Sequence, residues 1–598
     1  MPFLSGLRGR SPRFWFVVLF VAGIAGGLPA LGIGFYADDY LQLAKLRTDG
    51  PLAQRLSWVF AFSDGARETR AFIDGGELPW WTSPQLSVRF FRPLSAALLA
   101  ADNALFGLSP LGYHVHSLCW WALWLAGTAL VLRRVLSPPL AVLAFALFAL
   151  DDAHWAPVGW IAGRNASVAM VGVVWGFVAY LRHRQDGWRP GVPLAIAAWA
   201  LALAGGEVAV SGFTYVVAYE LARARRDGGG RTLCRLLPLG LLLAAYAIVY
   251  RSGAYGARGS GSYVDPLRDT AAFAGAMLRR LPAEWGALVL SAPLDLWVLT
   301  PAQALLIAVG VVAAAITVPW FWAATRALPA TEREATRWLA AGAALSLLPS
   351  SAGFLGERSL ASAGMGGAVI VAVLMRDGWR RWRARAASGR LRSACVAIAL
   401  CVLALPNLLL TGPWLAAKLL FARANGGAIE RLARATAETV PAPARGVLLW
   451  SDDPMVGTYI PAIARLYQPG ALPGFRTLAM APVELQVTRV DARTLELSCV
   501  TGAFVASEWE QLFRAPSQPL LVGTVLPLNG VTVEIVQATG ERPTVVRFRF
   551  DAPLEDPSLR FLEWRGRRLV PASLPAIGQT RSVFRSWPTL ATPPHELY

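Results

Sequence analysis

The sequence predicts an α-helical polytopic membrane protein with about eleven transmembrane helices and a C-terminal β-rich domain on the non-cytoplasmic side. Three observations lead to this class. Hydrophobic residues make up 55% of the 598 residues and charged residues only 16%, so there is more apolar surface than a soluble domain can bury. Most apolar residues form uninterrupted blocks of bilayer-spanning length. The C-terminal region instead alternates polar and apolar residues between turn-forming residues, as strands do.

Eleven apolar blocks are predicted to span the membrane. They are residues 13–35, 113–135, 138–152, 158–181, 191–206, 208–224, 233–251, 301–325, 336–351, 358–376 and 393–413. The first block follows a basic N-terminus that lacks a convincing cleavage site. Its length therefore favours an uncleaved helix over a signal peptide.

Arginines fall in every second connection between these blocks, so the N-terminus and those connections are predicted to be cytoplasmic. This distribution explains the net charge of +18, and no binding of nucleic acid is predicted. Because the number of spans is odd, residues 414–598 are predicted to lie outside. The same side receives the first loop (36–112), a second loop (252–300) and the short turns near 151–157, 206 and 352–357.

We divide the chain into three parts on this basis. Residues 1–420 form the transmembrane domain, in which the first loop, 36–112, carries interfacial helices. Residues 421–474 form an α/β connection with one buried strand, Gly446–Ser451. Residues 475–598 form a β-rich domain with the arrangement of a sandwich as one possibility. The strands are predicted at Glu484–Val490, Thr494–Val500, Val531–Val536, Thr544–Phe550 and Arg560–Trp564.

A pair of carboxylates, Asp38 and Asp39, follows the first span directly. Two interpretations stay open for it. Adjacent carboxylates at the membrane surface can take a proton from an acceptor hydroxyl, and their mutual repulsion raises one pKa toward neutrality. Alternatively, one of them caps the helix that begins near residue 40, where an acid suits the positive end of the helix dipole.

Several further motifs are arranged in an order that resembles a known superfamily. The first loop contains Phe91-Arg92-Pro93-Leu94 and then Gly112-Tyr113-His114 at the entry to the second span. With the preceding acidic pair, these motifs resemble the GT-C glycosyltransferases, and most closely the branches similar to protein O-mannosyltransferases and to the tetratricopeptide-associated O-mannosyltransferases. The resemblance covers roughly residues 14–410, about two-thirds of the chain.

Three later segments extend the resemblance. They are Asp151-Asp152-Ala153-His154 with the downstream Gly163-Arg164, Gly206-Glu207, and Gly356-Glu357-Arg358-Ser359-Leu360. The resemblance implies transfer of a hexose or pentose from a polyprenyl-phosphate carrier to an acceptor on the outer face of the membrane. Energy-rich nucleotides are absent from that side, so a lipid-linked donor agrees with the predicted topology.

These motifs suggest roles for individual residues. Asp38 is the first choice for the base that activates the acceptor hydroxyl, and Asp39 is the second choice or its partner. A planar guanidinium can bind two phosphate oxygens at once, so Arg358, Arg164 and Arg92 are expected to hold the donor phosphate. Glu357 is expected to orient Arg358, and Glu207 to orient a sugar hydroxyl or a basic group. The alternative is a set of buried ion pairs that hold the helices together.

The remaining candidates are supporting residues. His154, Asp152 and His114 lie at predicted helix ends, but their spacing is not that of a metal site, and we predict neither a metal nor a cofactor. An aromatic belt at the outer interface is the simplest interpretation of the tryptophans. Those nearest the interface are Trp80, Trp81, Trp120, Trp121, Trp155 and Trp160.

The predicted function is therefore that of a membrane glycosyltransferase whose partners are a polyprenyl-phosphate-sugar donor, the membrane lipid and an acceptor that is a glycan, a lipid or a protein. The alternative is a non-catalytic scaffold or an assembly subunit that binds glycan or protein on the same fold. An arginine-rich and alanine-rich composition with few lysines suggests a GC-rich bacterium. We therefore expect a multi-pass protein of the bacterial inner membrane, with a cytoplasmic N-terminus and a periplasmic C-terminal domain.

Overall fold

The computed structural model describes residues 11–384, 390–451, 453–480, 483–565 and 568–583. The basic N-terminus at residues 1–10 lies outside them. Each of the eleven predicted spans coincides with a helix. These helices are Pro12–Gly27, Pro110–Val135, Pro138–Ala149, Arg164–Asp186, Gly191–Gly205, Thr214–Asp227, Gly229–Ser252, Thr300–Arg326, Ala330–Ser350, Gly364–Arg383 and Arg390–Ala404. The predicted class, a helical membrane domain followed by a β-rich domain, is confirmed.

Six helical segments of the described chain are long and apolar enough to cross a membrane. They are Pro12–Gly32, Pro110–Val135, Arg164–Asp186, Gly229–Ser252, Pro301–Arg326 and Ser393–Thr439. The count rises to seven if Pro138–Ala149 and Asp152–Gly159, which meet at an angle of 46°, form one broken span. The other four predicted spans coincide with helices outside this set, so the full number of eleven stays a prediction.

The predicted loop 252–300 is largely helical, which corrects the sequence interpretation. Helix Thr270–Leu290 packs along Thr300–Arg326, and the two approach closely at glycines. A Cβ atom on Gly310 would lie only 1.7 Å from the carbonyl oxygen of Pro282. Arg279, Arg280 and Pro282 interrupt the apolar run of this helix, which is why the sequence did not reveal it.

The first loop contains four helices and two short strands. The helices are Asp38–Leu46, Leu52–Trp58, Ala66–Gly75 and Pro93–Phe106. The strands β1 (Ala61–Asp64) and β2 (Ser87–Arg89) pair antiparallel, and β3 (Gly256–Arg258) adds to β2 on its other side. The small sheet thus ties the first loop to the segment that follows helix Gly229–Ser252.

The last apolar helix continues into the C-terminal domain. A π-helical turn, Leu405–Leu410, joins it to helix Thr411–Thr439, and helix Pro454–Tyr467 follows β4. The strands of this region are β4 (Arg445–Leu448), β5 (Phe475–Thr477), β6 (Leu485–Arg489), β7 (Thr494–Cys499), β8 (Val525–Leu528), β9 (Val531–Thr539), β10 (Arg542–Phe550), β11 (Leu559–Arg565), β12 (Arg568–Pro571) and β13 (Thr580–Val583). They agree with the predicted strands, whose alternating apolar residues form the core.

These strands form two sheets. The larger is antiparallel, with the order β13-β6-β7-β10-β9-β8. The smaller has the order β12-β11-β4-β5, in which β4 runs parallel to both β11 and β5. Residues of the predicted connection and of the β-rich region therefore share one sheet.

The first loop packs directly on the C-terminal domain through two tryptophans. The indole N–H of Trp80 donates to the Leu478 carbonyl at 2.9 Å, and that of Trp81 donates to the Glu510 carbonyl at 3.3 Å. Each side chain is only 1% exposed. The aromatic-belt interpretation of Trp80 and Trp81 is therefore wrong, because protein and not the bilayer interface surrounds both rings.

Candidate functional site

The acidic pair lies where the chain turns from the first span into helix Asp38–Leu46. Ala37, directly before the pair, has a φ of 49° and a ψ of −119°, a conformation that is costly for a residue with a Cβ atom. Such strain is maintained only where the surroundings hold it, and it is found often at functional sites. The turn presents Asp38 and Asp39 to different neighbours.

Asp39 has a structural role in this turn. Its carboxyl accepts hydrogen bonds from the backbone N–H groups of Tyr36 at 2.9 Å and Ala162 at 2.7 Å, which ties the first loop to the segment before helix Arg164–Asp186. The side chain is buried, and burial raises its pKa to about 8 although the two N–H donors oppose the rise. Both carboxyl oxygens are thus occupied by the backbone.

Asp38 has a different partner, from the C-terminal domain. The hydroxyl of Tyr459 donates a hydrogen bond of 2.6 Å to its Oδ1 atom. Burial raises the pKa of Asp38, whereas this hydrogen bond and the positive charges of Arg358, Lys45 and Arg92 oppose the rise. Asp38 is therefore a carboxyl held by one orienting donor within the field of three cations, which is a suitable environment for a base.

Tyr459 is a site residue that the sequence analysis missed. It belongs to helix Pro454–Tyr467. Asp453 caps the start of this helix, because its side chain accepts a hydrogen bond from the backbone N–H of Met455 at 2.9 Å. The hydroxyl lies 421 positions from Asp38 along the chain. No local sequence pattern relates Tyr459 to Asp38. The sequence predicted only an α/β connection for the region that contains this helix.

Arg358 lies beside this pair in an aromatic environment. Its guanidinium lies 5.4 Å from the ring centre of Trp160 and 5.7 Å from that of Phe354, and it donates to the hydroxyl of Tyr263 at 3.3 Å. The indole of Trp160 in turn donates to the Tyr36 carbonyl at 3.1 Å, two residues before Asp38. Among the residues that the structure describes, no carboxylate lies within 4.0 Å of the Arg358 guanidinium.

The neighbouring Glu357 is paired with Lys418 rather than with Arg358. The Lys418 ammonium contacts the carboxylates of both Glu357 and Asp152. The Glu357 backbone N–H donates to Asp295 at 2.9 Å, and burial raises the pKa of Glu357 well above its ordinary value. The sequence analysis expected Glu357 to pair with Arg358. Because Lys418 pairs with Glu357 instead, Arg358 has no carboxylate partner among the described residues.

Lys418 was also missed, although the composition contains a signal for it. The chain has only two lysines, Lys45 and Lys418, among 56 basic residues. Lys45 lies near Asp38, with its ammonium 5.2 Å from the ring centre of Phe62 and in contact with the Ala61 carbonyl. Burial lowers its pKa to about 8. Both lysines of the chain therefore lie near acids of the candidate site, and their rarity in the sequence could have pointed to it.

Arg92 and Glu207 form an ion pair at the edge of the same region. The Arg92 Nε atom lies 2.7 Å from a Glu207 carboxylate oxygen, and the guanidinium lies 4.4 Å from the ring centre of Phe90. The other carboxylate oxygen accepts from the Phe91 backbone N–H at 3.1 Å. The structure thus joins the first loop to the turn at residue 206, and Arg92 has its charge largely compensated.

Arg164 lies in the helix packing, not in an open pocket. It is 3% exposed, lies 2.5 Å from the Asp102 carboxylate and donates to the Tyr113 carbonyl at 3.2 Å. The same Asp102 contacts His116 at 2.7 Å. These contacts correspond to the structural alternative, an ion pair that holds helix Pro93–Phe106 against its neighbours.

The two remaining histidines are buried as well. His154 contacts the Phe148 carbonyl at 3.0 Å and packs among aromatic rings, with its ring centre 4.6 Å from that of Trp121. His114 contacts the Gly34 carbonyl at 3.3 Å and is fully buried. Across the described parts of the chain, no group of three His, Cys, Asp or Glu side chains is arranged to hold a metal ion.

The structure therefore separates the predicted site residues into two groups. Asp38, Asp39, Arg358 and Arg92 meet where the first loop, the turn at residue 358 and the C-terminal domain join, with Glu357 and Asp152 in the adjoining ion-pair cluster. Arg164, His114 and His154 lie within the helix packing. The Asp38 carboxyl can accept a proton from a hydroxyl, and the nearby Arg358 guanidinium can bind a phosphate.

No protein-family model and no curated protein matches the chain. Two solved structures of oligosaccharyltransferase AglB from Archaeoglobus fulgidus are similar to it, each with 13% identity. One, tethered to an acceptor peptide, has a TM-score of 0.37 with 80% of this chain and 64% of that chain covered. The other, with an inhibitory peptide and a dolichol-phosphate, has a TM-score of 0.38 with 78% and 64% covered.

The structure of ArnT from Cupriavidus metallidurans bound to undecaprenyl phosphate is also similar to this chain, with 13% identity and a TM-score of 0.37. The similarity covers 77% of this chain and 89% of that chain. The chain thus spans less than two-thirds of the AglB structures. At TM-scores this low, we draw the function from the site and not from these similarities. AglB and ArnT are both GT-C glycosyltransferases, the superfamily that the sequence resembles.

Proposed function

We propose that the protein is a glycosyltransferase that moves a hexose or pentose from a polyprenyl-phosphate donor to an acceptor hydroxyl at the outer face of the bacterial inner membrane. The observation that carries the proposal is the proximity of a hydrogen-bonded carboxyl, Asp38, to a guanidinium, Arg358, that has no carboxylate partner among the described residues. Asp38 is oriented by Tyr459, and Arg358 lies close enough for its charge to lower the pKa of that carboxyl.

The two residues have complementary roles in the transfer. The Asp38 carboxylate takes the proton of the acceptor hydroxyl while the hydroxyl oxygen forms a bond to the anomeric carbon of the sugar. The bond between that carbon and the phosphate oxygen breaks, and the electron pair leaves with the carrier phosphate. Arg358 neutralises the negative charge that develops there, because its guanidinium has no competing carboxylate.

The other residues support this arrangement. Tyr459 is a positioning residue for Asp38, and Lys418 keeps Glu357 away from Arg358 by pairing with it. Asp39 fixes the turn that carries Asp38, and the Arg92–Glu207 pair holds the wall of the first loop. Trp160 and Phe354 flank Arg358 and lower the local dielectric, which strengthens its interaction with phosphate.

Two variants test the proposal in the full-length protein. We expect Asp38→Asn to abolish formation of the glycosylated product in cells while expression and thermal stability stay near wild type. We expect Arg358→Gln to weaken binding of undecaprenyl phosphate to the purified protein at least tenfold. Matched controls are Asp49→Asn and Arg67→Gln, which alter exposed residues of the first loop.

The glycan products are compared by mass spectrometry in strains that carry each variant as the sole copy. An Asp38→Asn strain with unchanged products would overturn the assignment and favour a scaffold or an assembly subunit. Equal binding of undecaprenyl phosphate by wild type and Arg358→Gln would show that the carrier does not use this pocket.

A further inference from the structure

A cavity of about 570 Å³ lies next to Arg358, whose hydrogen-bond partner Tyr263 is one of its lining residues. It is open to solvent on one side and lined by the segment 257–269, by helix Thr270–Leu290 and by residues 508–518 of the C-terminal domain. Backbone hydrogen bonds join two of its walls, from Gly261 to the Gln511 carbonyl at 2.7 Å and from Ala515 to the Gly259 carbonyl at 2.8 Å. Its volume is in the range of small-molecule binding sites.

Tyr263 connects this cavity with the pocket. It lines the cavity, and its hydroxyl accepts the hydrogen bond from Arg358. Trp297 also lines the cavity and belongs to the short helix Leu294–Val298, in which Asp295 accepts hydrogen bonds from the Glu357 backbone and the Trp155 indole. A molecule that contacts Tyr263 in the cavity would therefore touch a residue that is hydrogen-bonded to Arg358.

The acids of the cavity are already engaged by the protein. Asp265 pairs with Arg268 at 3.2 Å, and Asp269 caps helix Thr270–Leu290 by accepting from the Ala272 backbone N–H at 2.9 Å. Glu508 accepts a hydrogen bond from Gln303 at 3.0 Å. Only Asp265 is thus paired with a cation among the described residues, and the four arginines of the lining still exceed its three acids by one charge.

Two arginines of the cavity differ in this respect. Arg258 at the end of β3 is exposed, and Arg279 is exposed and donates to the neutral amide of Gln303 at 2.7 Å. In the described chain, neither guanidinium has a carboxylate within 4.0 Å. By contrast, the buried Arg280 donates to the carbonyls of Ser351, Gly353 and Ser262 and has a structural role.

We propose that this cavity is the acceptor site and that the acceptor is a phosphorylated molecule whose phosphate is held by Arg258 and Arg279. A phosphate monoester carries close to two negative charges, which two uncompensated guanidiniums match. The inference rests on the proposed function, since it names the class of acceptor for the same pocket. The acceptor hydroxyl would approach Asp38 past Tyr263.

The test uses the purified full-length protein and two phosphate monoesters. Glycerol 3-phosphate in solution and phosphatidic acid in otherwise neutral nanodiscs distinguish a soluble acceptor from a lipid one. We expect wild type to bind at least one of them and Arg258→Gln/Arg279→Gln to bind it at least tenfold more weakly. Arg67→Gln should bind as wild type does. Both positions are exposed, so the double variant should fold.

Failure of this inference is distinguishable from failure of the proposed function. Undecaprenyl phosphate should bind the double variant as it binds wild type, whereas Arg358→Gln should lose that ligand and keep the monoester. If neither monoester binds wild type, or if the double variant binds equally well, the acceptor assignment is wrong. If only undecaprenyl phosphate fails to bind wild type, the donor assignment is wrong.

Discussion

The hydroxyl of Tyr459 donates a 2.6 Å hydrogen bond to Asp38, and this contact joins the C-terminal domain to the turn that follows the first span. The bond favours the ionised carboxyl and so lowers the pKa of Asp38, whereas burial raises it. The pKa of a carboxyl in the first loop therefore depends on a residue from the last third of the chain.

Tyr459→Phe should shift the pH dependence of transfer. Without the hydrogen bond the pKa of Asp38 rises, and since the base must be ionised, the acidic limb of kcat/KM moves to higher pH. A hydrogen bond to a charged group is worth about 1.5–3 kcal/mol, so the move should be about 1 to 2 pH units. Tyr467→Phe is the control. It removes another hydroxyl of the same helix, one that donates to Glu430 at 3.0 Å. An unshifted limb in Tyr459→Phe would contradict the positioning role.

Lys418→Met should weaken binding of the donor carrier, although Lys418 is not proposed to contact the carrier. The variant leaves Glu357 and Asp152 without their shared cation, and Arg358 is then free to turn toward Glu357. We expect binding of undecaprenyl phosphate to weaken at least tenfold, and Glu357→Gln in the same chain to restore part of it. Lys418→Arg retains the charge and serves as the control. Wild-type affinity in Lys418→Met would refute this arrangement.

Arg164→Met should affect stability rather than donor binding. Removal of the arginine from the buried Arg164–Asp102 pair leaves Asp102 with only its His116 contact, and breaking a buried pair costs about 3–5 kcal/mol. Thermal unfolding in detergent should show a clear decrease in Tm, and Arg164→Met/Asp102→Asn should recover part of it. Undecaprenyl phosphate should bind the folded variant normally. Lost binding at unchanged Tm would instead place Arg164 at the donor phosphate.

Asp39→Ala should lower stability, whereas Asp38→Asn should abolish activity without lowering stability. Asp39→Ala leaves the backbone N–H groups of Tyr36 and Ala162 without an acceptor, at about 1–3 kcal/mol each. We expect a lower Tm for this variant and an unchanged Tm for the inactive Asp38→Asn. Equal Tm values for both would mean that Asp39 does not hold the turn.

The helices and strands were predictable because their patterns are local. Uninterrupted apolar runs locate the helices, and alternation locates strands such as β6, β7 and β10. Helix Thr270–Leu290 was not predictable, since Arg279, Arg280 and Pro282 break its apolar run. The site divides in the same way: Asp38 and Arg358 belong to short motifs, whereas Tyr459 and Lys418 reach it only through tertiary packing.

Contact partners depend on geometry that motifs do not contain. Glu357 and Arg358 are adjacent in sequence, which suggested a pair, yet the short helix Glu357–Ala361 directs Glu357 to Lys418 and Arg358 to Tyr263. Arg164 resembles a ligand-binding residue in its motif, but Asp102 lies close enough to neutralise it. Charge compensation is therefore decided by side chains that are distant in sequence.

The distance of 421 positions between Asp38 and Tyr459 also bears on biosynthesis. The ribosome produces Asp38 early, but its hydrogen-bond donor arrives only after every membrane helix has been made. A nascent or truncated chain that has already inserted its first helices would lack the orienting hydroxyl. In the proposed enzyme, transfer should thus begin only once the C-terminal domain has been translated and has packed on the first loop.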